Sequence, residues 1–255
     1  MNICVFVKRV PDTESRIRIP QGSATIAEDG LNFVVSPYDE YAVEEALRIR
    51  EARGGTVRVV SVGKDEAVAV LRKCLAMGAD EAFLVKDDAP ETYDGLRTAR
   101  IIARVVERRF AGSDLLLFGK QSVGADNGQV PAMVAELLGL PQATVVTKLE
   151  VEAGSATAFR EIEGGTEKVL LSLPAVVTAQ KGLNEPRYET LKGIMAAKKK
   201  EIRKVAPPSG LASRQRITGL YVPEKRKQTQ MISGSPAEAA KALVAALRDE
   251  ARVIS

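Results

Sequence analysis

The chain repeats one pattern through its first half, and that pattern leaves few folds open. Short apolar runs rich in β-branched residues alternate with longer stretches whose apolar residues recur at helical spacing. The runs at residues 3–7 (ICVFV), 57–62 (VRVVSV), 81–85 (EAFLV) and 114–118 (DLLLF) are nearly continuous in apolar character, as in strands covered on both faces of a parallel sheet. Between them lie helices. The first follows Ser36, a capping residue, with Pro37 at the first helical position and Asp39 and Glu40 in the first turn. Its apolar stripe is Ala42, Val43, Ala46, Leu47 and Ile49, and Gly54 and Gly55 stop it. Residues 65–77 carry Val68, Leu71 and Leu75 on one face and end at Gly78. Residues 92–110 turn Leu96, Ala99, Ile102, Ala103 and Val106 inward, and residues 130–138 form a further helix.

Parallel strands need crossover connections, which are right-handed and usually helical, so the alternation predicts an α/β fold with a parallel sheet and helices on its faces. Ligands in such sheets sit beyond the carboxyl ends of the strands. The loops that matter therefore follow Val7, Val35, Val62 and Phe118. The last is the most unusual, running as Gly119-Lys120-Gln121-Ser122-Val123-Gly124-Ala125-Asp126-Asn127-Gly128-Gln129 from a strand straight into the helix that begins at Val130. Such a loop presents free backbone N–H groups and the positive end of a helix dipole, a geometry that suits phosphate. The string is neither GxxxxGK[ST] nor GxGxxG, and Gly, Asn and Asp are also ordinary turn formers. Both a nucleotide-binding loop and a plain connection fit its local chemistry.

Beyond residue 140 the texture changes. Residues 143–149, 156–161 and 168–173 read as strands, the last two bridged by Glu163, Gly164 and Gly165, a hairpin signal, and residues 175–178 add a short strand. A proline-containing loop, NEPRYETL, leads into the weakly amphipathic, basic stretch KGIMAAKKK. Residues 205–234 lack apolar periodicity and Pro207 and Pro208 break any helix, so this part reads as an extended arm that needs another surface. Residues 236–252 close the chain as a helix with Ala239, Ala242, Leu243, Ala246 and Leu247 on one side. The organisation expected is an α/β domain over residues 1–204 with a β-hairpin extension, then a C-terminal arm plus helix over 205–255 that attaches to a partner.

Composition removes whole classes of chemistry. At 255 residues the chain is long enough for a sizeable core, and with no histidine it can build neither a Ser-His-Asp nor a Cys-His set nor an imidazole metal site. Cys4 and Cys74 are too far apart in sequence for a CxxC pair and read as small core residues of a reducing compartment. No metal site is expected. The opening MNICVFVKRV has too short an apolar run for a signal-peptide core or a membrane span, so a cytoplasmic, or matrix-like, location without membrane insertion is expected. The net charge of +4 hides an uneven distribution: residues 181–230 hold 13 Lys/Arg against 4 Glu, a local +9 that leaves −5 for the rest. With aromatics at 4% and no tryptophan, this basic region has no stacking platform, so nucleic acid is not the expected partner and steering of acidic proteins is. Glu44, Glu45, Glu161 and Glu163 read as surface charge on a helix and a strand, and no residue stands out as a catalytic acid, base or nucleophile.

Strings in four places resemble one family. VKRVPD (7–12), SPYDEYAVEEALRIRE (36–51), LAMGAD (75–80) and the run from DLLLFGKQ (114–121) through FREIEGG, LPAVVTA and LNEPRYETLKGIMAAKKK are similar to the small, or beta, subunit of electron transfer flavoproteins. The likeness covers nearly all of the chain to residue 200 and thins afterwards. It implies a Rossmann-like domain of the adenine-nucleotide-binding type, paired in a heterodimer with an alpha subunit that holds most of the FAD. It implies an electron carrier subunit rather than an enzyme, serving acyl-CoA dehydrogenase-type flavoenzymes, as in fatty acid β-oxidation, and passing electrons to a quinone oxidoreductase or another acceptor. That role suits the missing catalytic groups, since a flavin supplies the redox chemistry. A stand-alone adenine-nucleotide-binding α/β protein is the remaining alternative, disfavoured by the missing ATP loop motif and by the arm-plus-helix tail.

The resemblance also assigns residues. A structural AMP is expected at Phe6, at Ser36, Pro37, Tyr38 and Asp39, at Val62, and along Gly119, Lys120, Gln121, Ser122, Val123, Gly124, Ala125, Asp126, Asn127, Gly128, Gln129 and Val130. Where the family often has Asn-x-Thr-Gly-Gln this chain has Gly128-Gln129-Val130-Pro131-Ala132, and its 126–130 string is somewhat like the electron-bifurcating branch, so a second FAD in this site is the alternative to AMP. A partner-recognition loop is expected over Arg187, Tyr188, Glu189, Thr190, Leu191, Lys192, Gly193, Ile194, Met195 and Ala196, with the Leu191 side chain entering an apolar pocket of the dehydrogenase and Lys198, Lys199 and Lys200 steering the encounter.

Overall fold

The apolar run near the amino terminus forms β1 (Asn2–Phe6) in the computed structural model, which describes residues 1–88, 94–223 and 229–254. After it come β2 (Arg9–Pro11), β3 (Phe33–Val35), α1 (Pro37–Arg53), β4 (Thr56–Gly63), α2 (Val68–Met77) and β5 (Glu81–Lys86). Then follow α3 (Gly95–Arg109), β6 (Leu115–Gly119), α4 (Val130–Leu138), β7 (Gln142–Glu152), β8 (Ser155–Ile162), β9 (Gly165–Ser172), β10 (Ala175–Ala179), α5 (Leu191–Lys199) and β11 (Ile202–Val205).

One nine-stranded sheet runs in the order β11-β5-β4-β1-β6-β10-β7-β8-β9. From β11 to β7 every pairing is parallel, and β8 and β9 extend the sheet as an antiparallel hairpin. This is the α/β fold with a parallel sheet that the alternation predicts, and it is Rossmann-like, as the resemblance implies. The continuous apolar strands follow from it. Ile3 and Val5 join the core under α1 and α2, with Leu47 and Leu71, while Cys4 and Phe6 join the core under α3 and α4, with Ile102 and Val134. Each large side chain removed from water in this way contributes about 1.5–3 kcal/mol. Cys4 and Cys74 are fully buried in the two cores, and burial pushes both thiols far above the usual range.

Several details differ from expectation. β2 and β3 pair antiparallel as a separate ribbon, and β11 adds a parallel edge strand beside β5. α3 starts at Gly95 rather than at residue 92, which lies outside the described residues. The Asp94 side chain sets that start by accepting from the Leu96 and Arg97 amides. Ser36 occupies the N-cap of α1, yet its hydroxyl makes no capping bond.

The contacts divide the chain after Leu220 rather than at residue 204. Residues 206–220, expected as arm, lie on the first unit: Leu211 packs against the core under α3, and its carbonyl accepts from Arg97 Nε at 2.9 Å. The Asp94 Oδ2 atom accepts from the Arg214 amide at 2.7 Å and from Ser213 Oγ at 3.0 Å, and the Leu220 amide donates to the Ser23 carbonyl. The second unit, taken by itself, holds α6 (Pro236–Ala245), which continues into a π-helical turn (Ala246–Glu250). A capping box between Ser235 and Glu238 starts α6, but none of its residues is buried. The stretch 224–228 of the expected arm is outside the described residues. Among those described, no helix is long and apolar enough to cross a membrane.

Candidate functional site

From β1 the chain turns one way to β4 and β5, and later the other way to β6 and β10, so the strand order reverses beside β1. Open α/β sheets part their loops at such a point, leaving a crevice beyond the carboxyl ends of the strands. Three segments expected at the site meet there: the end of β1, the first turn of α1, and the loop leaving β6.

Asp39 ties them together. Its carboxylate, buried in the first turn of α1, accepts from the Lys8 amide at 2.8 Å with Oδ2 and from the Gly119 amide at 3.0 Å with Oδ1. Both oxygens are thus spent on holding the ends of β1 and β6, and Asp39 positions the crevice instead of reaching into it. The approach is close enough to demand glycine: a Cβ on Gly119 would stand 2.5 Å from Asp39 Oδ1 and 2.6 Å from the Tyr38 carbonyl carbon. Lys8 Nζ donates to Ser122 Oγ at 3.1 Å, and Lys120 Nζ sits 4.8 Å from the centre of the Tyr38 ring, drawing the loop over the start of α1.

The loop itself is made of turns. The Asp126 amide donates to the Ser122 carbonyl, Gln121 Nε2 donates to Asp126 Oδ1 at 2.9 Å, and Gly124, Asp126 and Gly128 have positive φ. Gly124 and Asp126, Asn127, Gly128 and Gln129 are exposed, Val123 and Ala125 on either side of Gly124 are half-buried, and Val130 begins α4. Pro131 in the first turn of α4 withholds one amide that a phosphate would otherwise find there. Phe6 stacks its ring on Phe118 at 4.7 Å within the core, so what it offers a ligand is main chain, and Val62 is half-buried against that same core. Two open grooves, of about 500 and 610 Å³, lie elsewhere; the first is lined by Asn2, Arg58, Glu81 and Arg203 toward the amino ends of the strands, the opposite side from the crevice.

Burial pushes the Asp39 carboxyl up to about 7, against the downward pull of the Lys8 and Gly119 amides and the Lys8 ammonium. Below about pH 4 the folded and unfolded chains both hold this proton, and between about 4 and 7 only the folded chain does, so rising pH favours unfolding in that window. Urea denaturation should show a limb of stability that falls as pH rises through it and levels off above. Asp39→Asn, which does not titrate, should lack that limb; its persistence in the variant would assign the effect to another group.

An Electron transfer flavoprotein domain matches residues 23–209. A curated Bacillus subtilis protein described as Electron transfer flavoprotein subunit beta is 41% identical over 262 residues, covering 100% of both chains. The chain belongs to the electron transfer flavoprotein beta-subunit family. Relatives of the same description from Mycobacterium bovis and Bradyrhizobium diazoefficiens are 40% and 43% identical over 79% of this chain and 77% and 80% of their own.

The segment expected as a recognition loop in this family is half helix. Residues 184–190 form the approach and α5 starts at Leu191, with Thr190 Oγ1 capping it by accepting from the Gly193 amide at 3.0 Å. Tyr188 is 94% exposed, Leu191 84% and Met195 58%, and Glu189, Lys192 and Ala196 are exposed beside them. Ile194 turns inward onto the core under α1 and α2. Gly193 lies so close to α2 that a Cβ would stand 2.3 Å from the Ala76 carbonyl oxygen.

Glu44 and Glu45 are not surface charges, unlike the exposed Glu161 and Glu163. Glu44 is 2% exposed and receives Arg187 through Nε at 2.7 Å, through NH2 at 3.1 Å and through the backbone amide at 3.2 Å. Glu45 accepts from Asn184 Nδ2 at 2.9 Å. Burial pushes the Glu44 carboxyl up, but the bonds from Arg187 and Arg48 outweigh it and hold Glu44 below the usual range, while at Glu45 burial wins over Asn184. Arg187 and Asn184 lie some 140 residues from these glutamates in sequence, beyond the reach of any local spacing rule, while Arg48 stands one helical turn from Glu44.

Proposed function

We propose that this chain is the beta subunit of a heterodimeric electron transfer flavoprotein, an electron carrier in which FAD, held mainly by an alpha subunit, does the redox chemistry and this subunit supplies support and docking. It accepts electrons from acyl-CoA dehydrogenase-type flavoenzymes and passes them to a quinone oxidoreductase or another acceptor in the cytoplasm. Family membership carries the general role. The observation that carries the nucleotide is the crevice between β1 and β6, where the glycine-bearing loop and the first turn of α1 meet over Asp39. It supports a structural AMP, which the loop amides would hold by its phosphate with Tyr38 and Val62 among the residues around it.

Heat-denatured heterodimer should release one AMP beside one FAD, counted by chromatography. The 126–130 string, exposed over 126–129, lacks the family's hydroxyl and is followed by Pro131; it favours a second reading in which another FAD occupies the crevice, and two FAD and no AMP would establish it. One FAD and no other adenine compound would remove the nucleotide site.

The exposed ridge of Tyr188, Leu191 and Met195 beside Lys192, Lys198 and Lys199 is the docking surface for the dehydrogenase. The apolar side chains anchor and the lysines raise the encounter rate with acidic partners.

A further inference from the structure

The structure assigns to Arg187 and Arg72 the role of positioning residues, which hold residues 184–200 as a preformed docking platform so that partner affinity depends on two arginines turned away from the partner. The inference rests on the docking reading above and concerns how that surface is held.

An exposed apolar ridge on a free loop would lose much of its binding energy to ordering on contact. This segment is fastened at both ends. At its start Arg187 bridges two carboxylates of α1: besides Glu44 it reaches Glu51, through NH1 at 2.5 Å and NH2 at 3.1 Å. Arg48 Nε closes the cluster on Glu44 at 2.8 Å and its NH2 donates to the Glu185 carbonyl at 3.3 Å. Asn184 Nδ2 adds the Tyr41 carbonyl to its bond with Glu45. The bonds to Glu51 and Glu44 keep the Arg187 guanidinium firmly charged.

At the far end Arg72, on α2, donates to the Ala197 carbonyl, which also accepts from the Lys200 amide, and to the Lys200 carbonyl at 2.6 Å, so one guanidinium clamps the end of α5. Lys200 Nζ donates to the Ala79 carbonyl at 2.6 Å. Ala197 is buried and Gly193 lies against the Ala76 carbonyl, so α5 sits on α2 with Leu191 and Met195, one helical turn apart, facing out. The ridge sits between these two fastenings and contributes to neither. A segment held this way meets its partner with its ordering entropy already lost, and loosening either end lowers affinity while leaving the electron-transfer step of the docked complex alone.

The test measures reduction of the flavin in the intact heterodimer by an acyl-CoA dehydrogenase-type flavoenzyme, with KM for the heterodimer and kcat read separately. Leu191→Ala should raise KM about tenfold, as loss of a buried apolar anchor does. Arg187→Met and Arg72→Met should each raise KM roughly five- to tenfold with kcat within about twofold, and Arg187→Lys, which keeps the charge but lacks the planar fork that grips both carboxylates, should fall between. The double variant Arg187→Met with Leu191→Ala should raise KM by clearly less than the product of the single effects, because both act through one contact. Should Arg187→Met fail to fold, Glu51→Gln removes the exposed carboxylate alone and should still raise KM about two- to threefold. Unchanged KM in the arginine and Glu51 variants, beside a raised KM in Leu191→Ala, overturns the platform and leaves docking standing. Unchanged KM in Leu191→Ala overturns docking and the platform with it.

Discussion

Replacing Gly119 with alanine should cost the chain about 3 kcal/mol or more of stability and empty the crevice of its proposed nucleotide, because the added Cβ meets the Tyr38 main chain and the buried, hydrogen-bonded Asp39 carboxylate, neither of which is the far end of a flexible side chain. It would stand 2.5 Å from Asp39 Oδ1 and 2.6 Å from the Tyr38 carbonyl carbon. To make room, the start of α1 must move off β6, and the paired hydrogen bonds of Asp39 to Lys8 and Gly119 break with it. Gly124→Ala, on the same loop, is the control: its φ of +89 strains alanine but nothing lies within 4 Å of the new atom, so it should cost only about 1 kcal/mol. Denaturant midpoints and adenine content of the two variants decide the matter. Equal losses in both would show that the close approach is not what holds the crevice.

Truncation after Leu220 should leave the first unit folded and abolish heterodimer formation. Both hydrophobic cores lie within residues 1–220, and so do the Asp94 bonds that fasten residues 213 and 214, so the truncated chain keeps them. What goes is α6, a capped helix with no buried residue and with Leu243 and Val244 on its surface, together with the exposed Tyr221, Val222 and Met231. Apolar side chains in that number on a chain segment call for a partner's surface. The truncated chain should keep its circular dichroism and melting temperature while its affinity for the alpha subunit falls by at least about 100-fold, or about 3 kcal/mol. Co-purification of the truncated chain one-to-one with alpha subunit and FAD would refute the attachment. A cut after Val205 is a poorer test, since it also strips Leu211 from the core under α3.

Where the sequence was informative, the signal was local. Ile3 and Val5 alternate with Cys4 and Phe6 across two cores, which is why β1 could be read as a doubly covered strand, and Pro37, Asp39 and Gly54 mark the ends of α1 within a few residues. What escaped was held together over long separations. β2 and β3 are three residues each and pair across a stretch of more than twenty, in which Pro20-Gln21-Gly22 and Asp29-Gly30 signal separate turns and no short hairpin loop joins the two strands. β11 reads as charged because Arg203 and Lys204 stand on an edge strand. α5 hid behind Gly193 and behind an apolar set that faces water, and Glu44 behind a partner, Arg187, on the far side of the chain. The crevice segments were legible because strand ends are. That Asp39 spends both oxygens on backbone was not, since a carboxylate in a first turn ordinarily faces solvent and the helix dipole.

The two buried thiols make this chain convenient to instrument. Cys4 and Cys74 are each wholly enclosed and held protonated, and a maleimide or nitroxide reagent attacks only an accessible thiolate. A cysteine introduced at Tyr188, which is 94% exposed, would therefore be the single labelling position in this subunit without any cysteine first being deleted. A probe there would report the arrival of a docking protein directly, by quenching or by line broadening, with no dependence on the colour of the flavin.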